Sequence, residues 1–425
     1  MSFSKSGASI KKIIHHGRIL SRPTRQPFGT RNSVGYELGK CFQLDREHCL
    51  LVASMDEQGG GDLCVGNDGF IFKNLSEIQA ENAIPINAPD PDYKLRSCDG
   101  LAYLAKFPVG GGFVPLGATL DDGKPHPAAG TGILVSQGIT FDRDRTSATE
   151  KSEAAFEFMQ VRWDGRSLAI TDRTLVESML ALDLVSMPIL YFCPDGPDLL
   201  APFVTTQGLV VFRLAFDGRE WRAVARGEPF GQHRGSNGIL PVGESEPCLL
   251  RDAEGFVLYT RGSDPVGRIY RSTDGLNFSP RFEKKNNMVP QVLNQGLDGS
   301  LYVATNPNWD MLRNPLVGYP MAGQSFGEPF VIHDEGGIRD DQGPKVPFVD
   351  HGVGVNVFLE GRWRHLLWYR VCDLKERTFH RFQAELSDAF HPDGKPQARS
   401  TIGGLYLVEL EYERIDKNQN SYQLS

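Results

Sequence analysis

The feature of this sequence that most restricts its fold is a repeated unit in which a run of four to eight apolar or alternating residues, a Gly-, Asp- or Asn-containing turn and a second such run follow one another. Six copies can be read, at 48–72, 99–142, 187–221, 246–278, 290–326 and 346–386. The clearest is EPCLLRDAEGFVLYTRG followed by GRIYRSTDGLNF. Runs of this length bounded by turn residues are strands, and amphipathic helical periodicity is nearly absent. Phe72, Phe141, Trp221, Phe278 and Phe326 fall at matching places after the closing turn of their units. A unit of about four strands cannot bury both faces alone, so such units stack and close on themselves. The expected class is therefore all-β, a β-propeller forming one domain over 1–425, with flexible ends at 1–30 and 415–425.

Six blades are expected, with a seventh left open by the stretch 156–176, FEFMQVRWDGRSLAITDRTLV. The strand GGLYLVELEYE at 403–413 follows the last unit and should complete the blade begun near the N-terminus, which would remove a free sheet edge. Two β-sandwich domains would also give many short strands, but they do not predict an Asp-Gly-aromatic turn at corresponding places.

Composition narrows the partners. A formal net charge of -8 argues against nucleic acid, whose binding is driven by clustered Lys and Arg. No run approaches the roughly 18 apolar residues of a membrane span, and the first twenty residues carry no apolar signal core. The chain thus reads as not membrane-bound, and as cytoplasmic unless it is secreted by a signal outside this sequence. The seven cysteines are odd in number, widely spread and never in a CxxC pair, which fits buried free thiols in a reducing compartment better than a zinc site. Asp340-Asp341 offers oxygen ligands of the kind calcium takes, but no loop with regularly spaced ligands surrounds it, so no cofactor or metal is expected. Gly59-Gly60-Gly61 and Gly110-Gly111-Gly112 precede no helix pattern and read as flexible turns, and His15, His16 and His126 read as surface loop.

The segment Ser272-Thr273-Asp274-Gly275-Leu276-Asn277-Phe278 is similar, one residue short, to the Asp-box of sialidases and other BNR-repeat proteins. Its role there is structural, the carboxylate accepting N–H bonds across a tight turn and the aromatic filling the gap between strands. The resemblance extends over 244–316. Sialidases carry a Glu, an Arg about fifteen residues later, an Asp-box and then another Arg, and Glu246, Arg261 and Arg313 stand in that order here. The resemblance implies a propeller whose arginines grip a substrate carboxylate, with Arg18 in Gly-Arg-Ile-Leu as a third member. Where sialidases place a nucleophilic Tyr, this chain reads Lys345-Val-Pro-Phe-Val-Asp350-His351, with Tyr369 one strand later.

Hydrolysis of a glycosidic bond needs a pair of groups for acid and base or nucleophile work, and Glu246, Asp62 and Asp99 are the carboxylate candidates. Elimination beside a uronic acid instead needs a neutralised carboxylate and a proton-transferring base, for which His suits near-neutral pH. His233 and Arg234, in the loop Gly-Gln-His-Arg-Gly-Ser-Asn-Gly, and His351 supply those types. The expected function is a carbohydrate-active enzyme holding an acidic sugar through Arg261 and Arg313, a glycoside hydrolase first. A uronate lyase using His233 or His351 and a non-catalytic glycan-binding propeller are the alternatives.

Overall fold

The computed structural model describes residues 10–21, 34–57, 64–87, 102–105, 110–141, 154–172, 184–186, 191–231, 233–236, 241–262, 266–285, 290–307, 313–322, 325–336, 338–340, 343–374, 402–413 and 423–424. Asp-centred turns build its hairpins. Asp164, Asp217 and Asp274 each accept backbone N–H bonds from the residues two and three ahead, at 2.8–2.9 Å, and thereby turn the third strand of blades two, three and four into the fourth. Asp45 does the same between the first two strands of blade one. Because the donor and acceptor lie within four residues, such a turn forms from local sequence alone.

These hairpins assemble into six antiparallel sheets, spanning 34–87, 102–172, 184–226, 233–285, 292–333 and, for blade six, 338–412 with 10–20. The stretch 156–176 supplies the third and fourth strands of blade two, so no seventh blade exists among the described residues. Closure runs opposite to the sequence expectation. Gly404–Tyr412 pairs with Arg362–Leu374 inside blade six, and the N-terminal strand Ile10–Leu20 adds outside it. The N-terminus thus completes the last blade rather than the C-terminus the first. The C-terminal Gln423–Leu424 then pairs with Ala118–Thr119 of blade two.

Leaving aside the short strands His233–Ser236 and Ile338–Asp340 that precede Pro241–Asp252 and Gly343–Leu359 in blades four and six, the first strand of each blade is innermost, and these strands gather around a central axis. Their N-terminal ends therefore share one face of the ring and their C-terminal ends the other. Space at the axis is tight, which explains Gly110–Val114. It is a fully buried inner strand of blade two, not the flexible turn expected from its glycines. A Cβ on Gly111, whose φ is +149°, would lie 2.3 Å from the Ile133 carbonyl oxygen, and one on Gly112 would meet Leu199 at 2.9 Å.

Between blades, apolar faces interlock. Trp221, expected as a turn aromatic, is buried between blades two and three, where its indole N–H donates to Thr131 Oγ1 and its backbone exchanges two bonds with the Gln160 amide. Phe72 and Phe278 are likewise buried and Phe326 is partly so, but Phe141 ends the second strand of blade two and does not belong to this set. His126 also departs from expectation. It is buried, its Nδ1 accepts the Ala128 N–H, and its Nε2 faces the Gly196 carbonyl oxygen at 3.2 Å. Cys41, Cys49, Cys193 and Cys248 are buried free thiols.

One buried group makes the fold pH-sensitive. His365 sits between blades five and six with Tyr302 Oη on Nε2 and Asn356 Oδ1 on Nδ1, both at 2.6 Å, and burial pushes its imidazole down to about 3. The unfolded chain protonates this group near 6.5 while the folded chain does not. Its contribution is therefore complete above pH 6.5 and is lost as pH falls toward 3. Urea unfolding at pH 7 and 4.5 should show wild type losing about 2–3 kcal/mol more than His365→Gln over that interval; equal losses would contradict the assignment.

Candidate functional site

Two of the register shifts in the inner strands place a left-handed residue there. In blade four, Ser245 lies opposite Arg261 and Cys248 opposite Tyr259, so Glu246 and Pro247 together oppose the single Thr260. In blade six, Asp350 lies opposite Arg370 and Val353 opposite Trp368, so His351 and Gly352 oppose the single Tyr369. Each is a β-bulge whose first residue is left-handed, with φ +51° at Glu246 and +53° at His351. Glycine is the residue that fills this conformation without strain. Among the described residues only Glu360 joins them as a non-glycine at positive φ, and it lies in the tight turn before Gly361. Such strain costs on the order of 1–3 kcal/mol and clusters at functional sites.

Around His351 the structure gathers a buried ionic cluster. Asp350 fills its four acceptor directions: Oδ1 accepts Arg370 Nε at 2.9 Å and faces His351 Nδ1 at 2.8 Å, while Oδ2 accepts Arg370 Nη2 at 2.9 Å and Arg313 Nη1 at 2.6 Å. Burial alone would raise this carboxyl, but the charges of Arg370, His351 and Arg313 hold it well below the usual carboxylate range. Asp350 is therefore an anion whose Oδ1 holds a proton on His351 Nδ1 and fixes the ring; no hydrogen-bond partner of Nε2 is found among the described residues. Arg313 stacks on Phe348 with its guanidinium carbon 4.5 Å from the ring centroid, and its buried Nε has no hydrogen-bond partner among the described residues.

Glu246 pairs with Arg261, Oε1 to Nη1 at 2.8 Å, with both side chains about one-fifth exposed. Two residues earlier, Glu244 is fully buried and accepts from Thr260 Oγ1 at 2.9 Å and Tyr270 Oη at 2.7 Å. Burial and this carboxylate push the Tyr270 phenol up. The short strand His233–Ser236 pairs with the start of the same inner strand, His233 opposite Gly243, which puts His233 and Arg234 on the backbone leading to Glu246.

Thus the structure unites Arg313 with His351 through Asp350, and Glu246 with Arg261. Arg18 lies elsewhere. It is exposed on the outermost strand of blade six, donating to the Gly403 carbonyl oxygen at 3.4 Å, because that strand belongs to the last blade and not the first. Asp62 and Asp99 lie outside the described residues. Tyr369, the sequence alternative to a nucleophilic Tyr, is buried on the partner strand of the His351 bulge, with its Oη 3.1 Å from His333 Nδ1. Arg370 and Glu244 were not anticipated. A charged residue inside the apolar run Leu-Leu-Trp-Tyr-Arg-Val-Cys was the available signal for the first, since buried charges are paired.

No protein-family model and no curated protein matches the sequence. Solved structures do share the fold. A Dyadobacter fermentans protein of unknown function aligns with a TM-score of 0.51 at 12% identity over 96% of this chain and 100% of its own. A Trypanosoma rangeli sialidase in complex with sialic acid aligns at 0.52 and 8% over 96% of this chain and 60% of its own. The NanB sialidase of Streptococcus pneumoniae aligns at 0.53 and 8% over 95% of this chain and 71% of its own. At these identities the likeness shows the fold, a six-bladed propeller of the kind sialidases use.

Replacing Asp350 with Asn tests the cluster, since it leaves two guanidinium groups buried without their counter-charge. We expect Asp350→Asn to cost about 3–5 kcal/mol in chemical unfolding at pH 7, and a loss under 1 kcal/mol would show that the cluster is not held by this carboxylate.

Proposed function

We propose that the protein is a carbohydrate-active enzyme that cleaves a glycosidic bond beside an acidic sugar, bound at the N-terminal face of the ring. The observation that carries this reading is the pair of bulges that put Glu246 and His351, in strained conformations, on two inner strands flanking the blade from which Arg313 reaches Asp350. Arg313 and Arg370 both donate to Asp350 there, and the buried Arg313 Nε has no hydrogen-bond partner among the described residues, which favours a carboxylate-bearing sugar. Arg261, held by Glu246, adds a third guanidinium of the planar kind that grips a carboxylate.

In hydrolysis, the Glu246 carboxylate accepts a proton from the attacking water while His351, carrying a proton on Nε2, gives it to the leaving oxygen as the glycosidic bond breaks. The sialidase-like fold favours this reaction. A specific observation also favours elimination: a His fixed through Nδ1 by a buried carboxylate has the geometry of a base at Nε2, and elimination beside a uronate needs that base, a cation to neutralise the carboxylate and a proton for the leaving oxygen, which the imidazolium formed at Nε2 can return. The turn at 272–278 supports the Asp-box resemblance, since Asp274 and the Ser272 hydroxyl tie it together.

Incubation with sialosides and with uronate-containing oligosaccharides separates these reactions, because elimination creates an ultraviolet-absorbing unsaturated product and hydrolysis does not. His351→Asn should lower kcat by about 10²-fold or more in either case. Binding without turnover of either substrate class would defeat the enzymatic reading. Arg261→Lys should weaken acidic-sugar binding by about tenfold or more, because a planar two-point donor becomes a point charge; unchanged affinity would remove Arg261 from the site.

A further inference from the structure

The described cavity of about 490 Å³ lies on the other face of the ring, and none of Glu246, Arg261, Arg313, Asp350 or His351 lines it. Its walls are the C-terminal halves of the inner strands from all six blades. Its floor is Tyr191. That ring packs against the apolar cluster of blades one and two on one side and that of blades four to six on the other. It stands edge-on to Phe42, with centroids 5.4 Å apart, and its Oη accepts the Cys41 N–H at 2.9 Å. Tyr191 therefore spans the axis, and the cavity is set off from the candidate site on the opposite face.

Most polar groups lining the cavity are already used by the fold. The Gln43 amide exchanges bonds with Phe358, Gln295 donates to the Arg251 carbonyl oxygen and Asn356 donates to that of Gln295, which stitches neighbouring inner strands together. Arg251 is countered by Asp195, and Asp252 by Arg271. Burial pushes the His126 imidazole down, so that wall is uncharged at neutral pH. What remains is the exposed carboxylate of Asp121, which has no hydrogen-bond or ion-pair partner among the described residues, and the half-buried indole of Trp363. The strand Ala118–Thr119 just before Asp121 is fixed by Gln423–Leu424 at the C-terminus.

An aromatic surface, an anionic acceptor pair and this volume suit a ligand with one apolar face and several hydroxyl donors. An acidic ligand is disfavoured by Asp121, the reverse of the preference on the other face. We propose that this cavity is a second carbohydrate site, taking a neutral mono- or disaccharide between Trp363 and Asp121. It does not depend on which reaction the other face performs.

Isothermal titration of the full chain with glucose, galactose, N-acetylglucosamine and cellobiose tests it. Saturable binding of at least one is expected, weakened about tenfold or more in both Trp363→Ala and Asp121→Asn, unchanged in Glu246→Gln, and not competed by glucuronate. Asp121 is exposed in a loop, so its variant keeps the test decisive even where Trp363→Ala unfolds. Binding by none of the four sugars, binding that survives Asp121→Asn, or binding abolished in Glu246→Gln would each overturn the proposal.

Discussion

The ring holds because its first strand is spent on its last blade. Ile10–Leu20 runs antiparallel along Gly404–Tyr412 from Ile10 opposite Tyr412 to Leu20 opposite Leu405, so the chain's two ends are bonded to each other. Without that strand blade six would expose an edge, and the interfaces on either side of it would be free to part. Leu20, Leu405 and Leu407 lie in one apolar cluster with Tyr36, Cys41 and Leu51 of blade one, so closure of the backbone and burial between the last and first blades are one event. Everything at the axis follows from it. Once six inner strands are forced together, side chains must give way, and glycine at 111 and 112 is the result.

A closed ring also explains how strained residues persist. The left-handed backbones at Glu246 and His351 are unfavourable taken alone, yet each lies in an inner strand paired on both sides of its bulge. Neither can relax without breaking register through the rest of its sheet, so the surroundings impose the conformation. Fixed partners then hold each side chain, Arg261 for Glu246 and Asp350 for His351. Rigid strands supply the placement that a loop could not.

How much of this could be read in the sequence depended on the range of the interaction. The turns at Asp164, Asp217 and Asp274 were legible because donor and acceptor are neighbours, but the choice between six and seven blades was not, because only the pairing of 154–163 with Thr131–Phe141 assigns the Asp164 hairpin to blade two. Closure was legible as a pairing of termini but not in its direction, which depends on which blade Ile10–Leu20 reaches. Gly110–Val114 and His126 read as loop because their environment is set by inner strands or turns brought in from other blades. Among the candidate site residues, Glu246, Arg261, Arg313 and His351 were named from spacing and family resemblance, and the structure pairs Glu246 with Arg261 and joins Arg313 to His351 through Asp350. Arg370 was hidden among apolar neighbours, and its partnership with Asp350 exists only after Gly343–Leu359 and Arg362–Leu374 pair. Arg18 was misplaced for the same reason as the closure, since its strand joins the sixth blade.

The ionic cluster finally ties the fold to the choice of ligand. A buried ion pair gains little over an apolar packing of the same volume unless its hydrogen bonds are complete. Those of Asp350 are complete, with four donors on two oxygens, but those of Arg313 are not. Two guanidinium groups face one carboxylate, Phe348 shields both from water, and Arg313 Nε is left without an acceptor among the described residues. On the proposed function, an anion that reaches Arg313 Nε supplies the missing acceptor, and a sugar acid brings a charged one where a neutral sugar brings only hydroxyls.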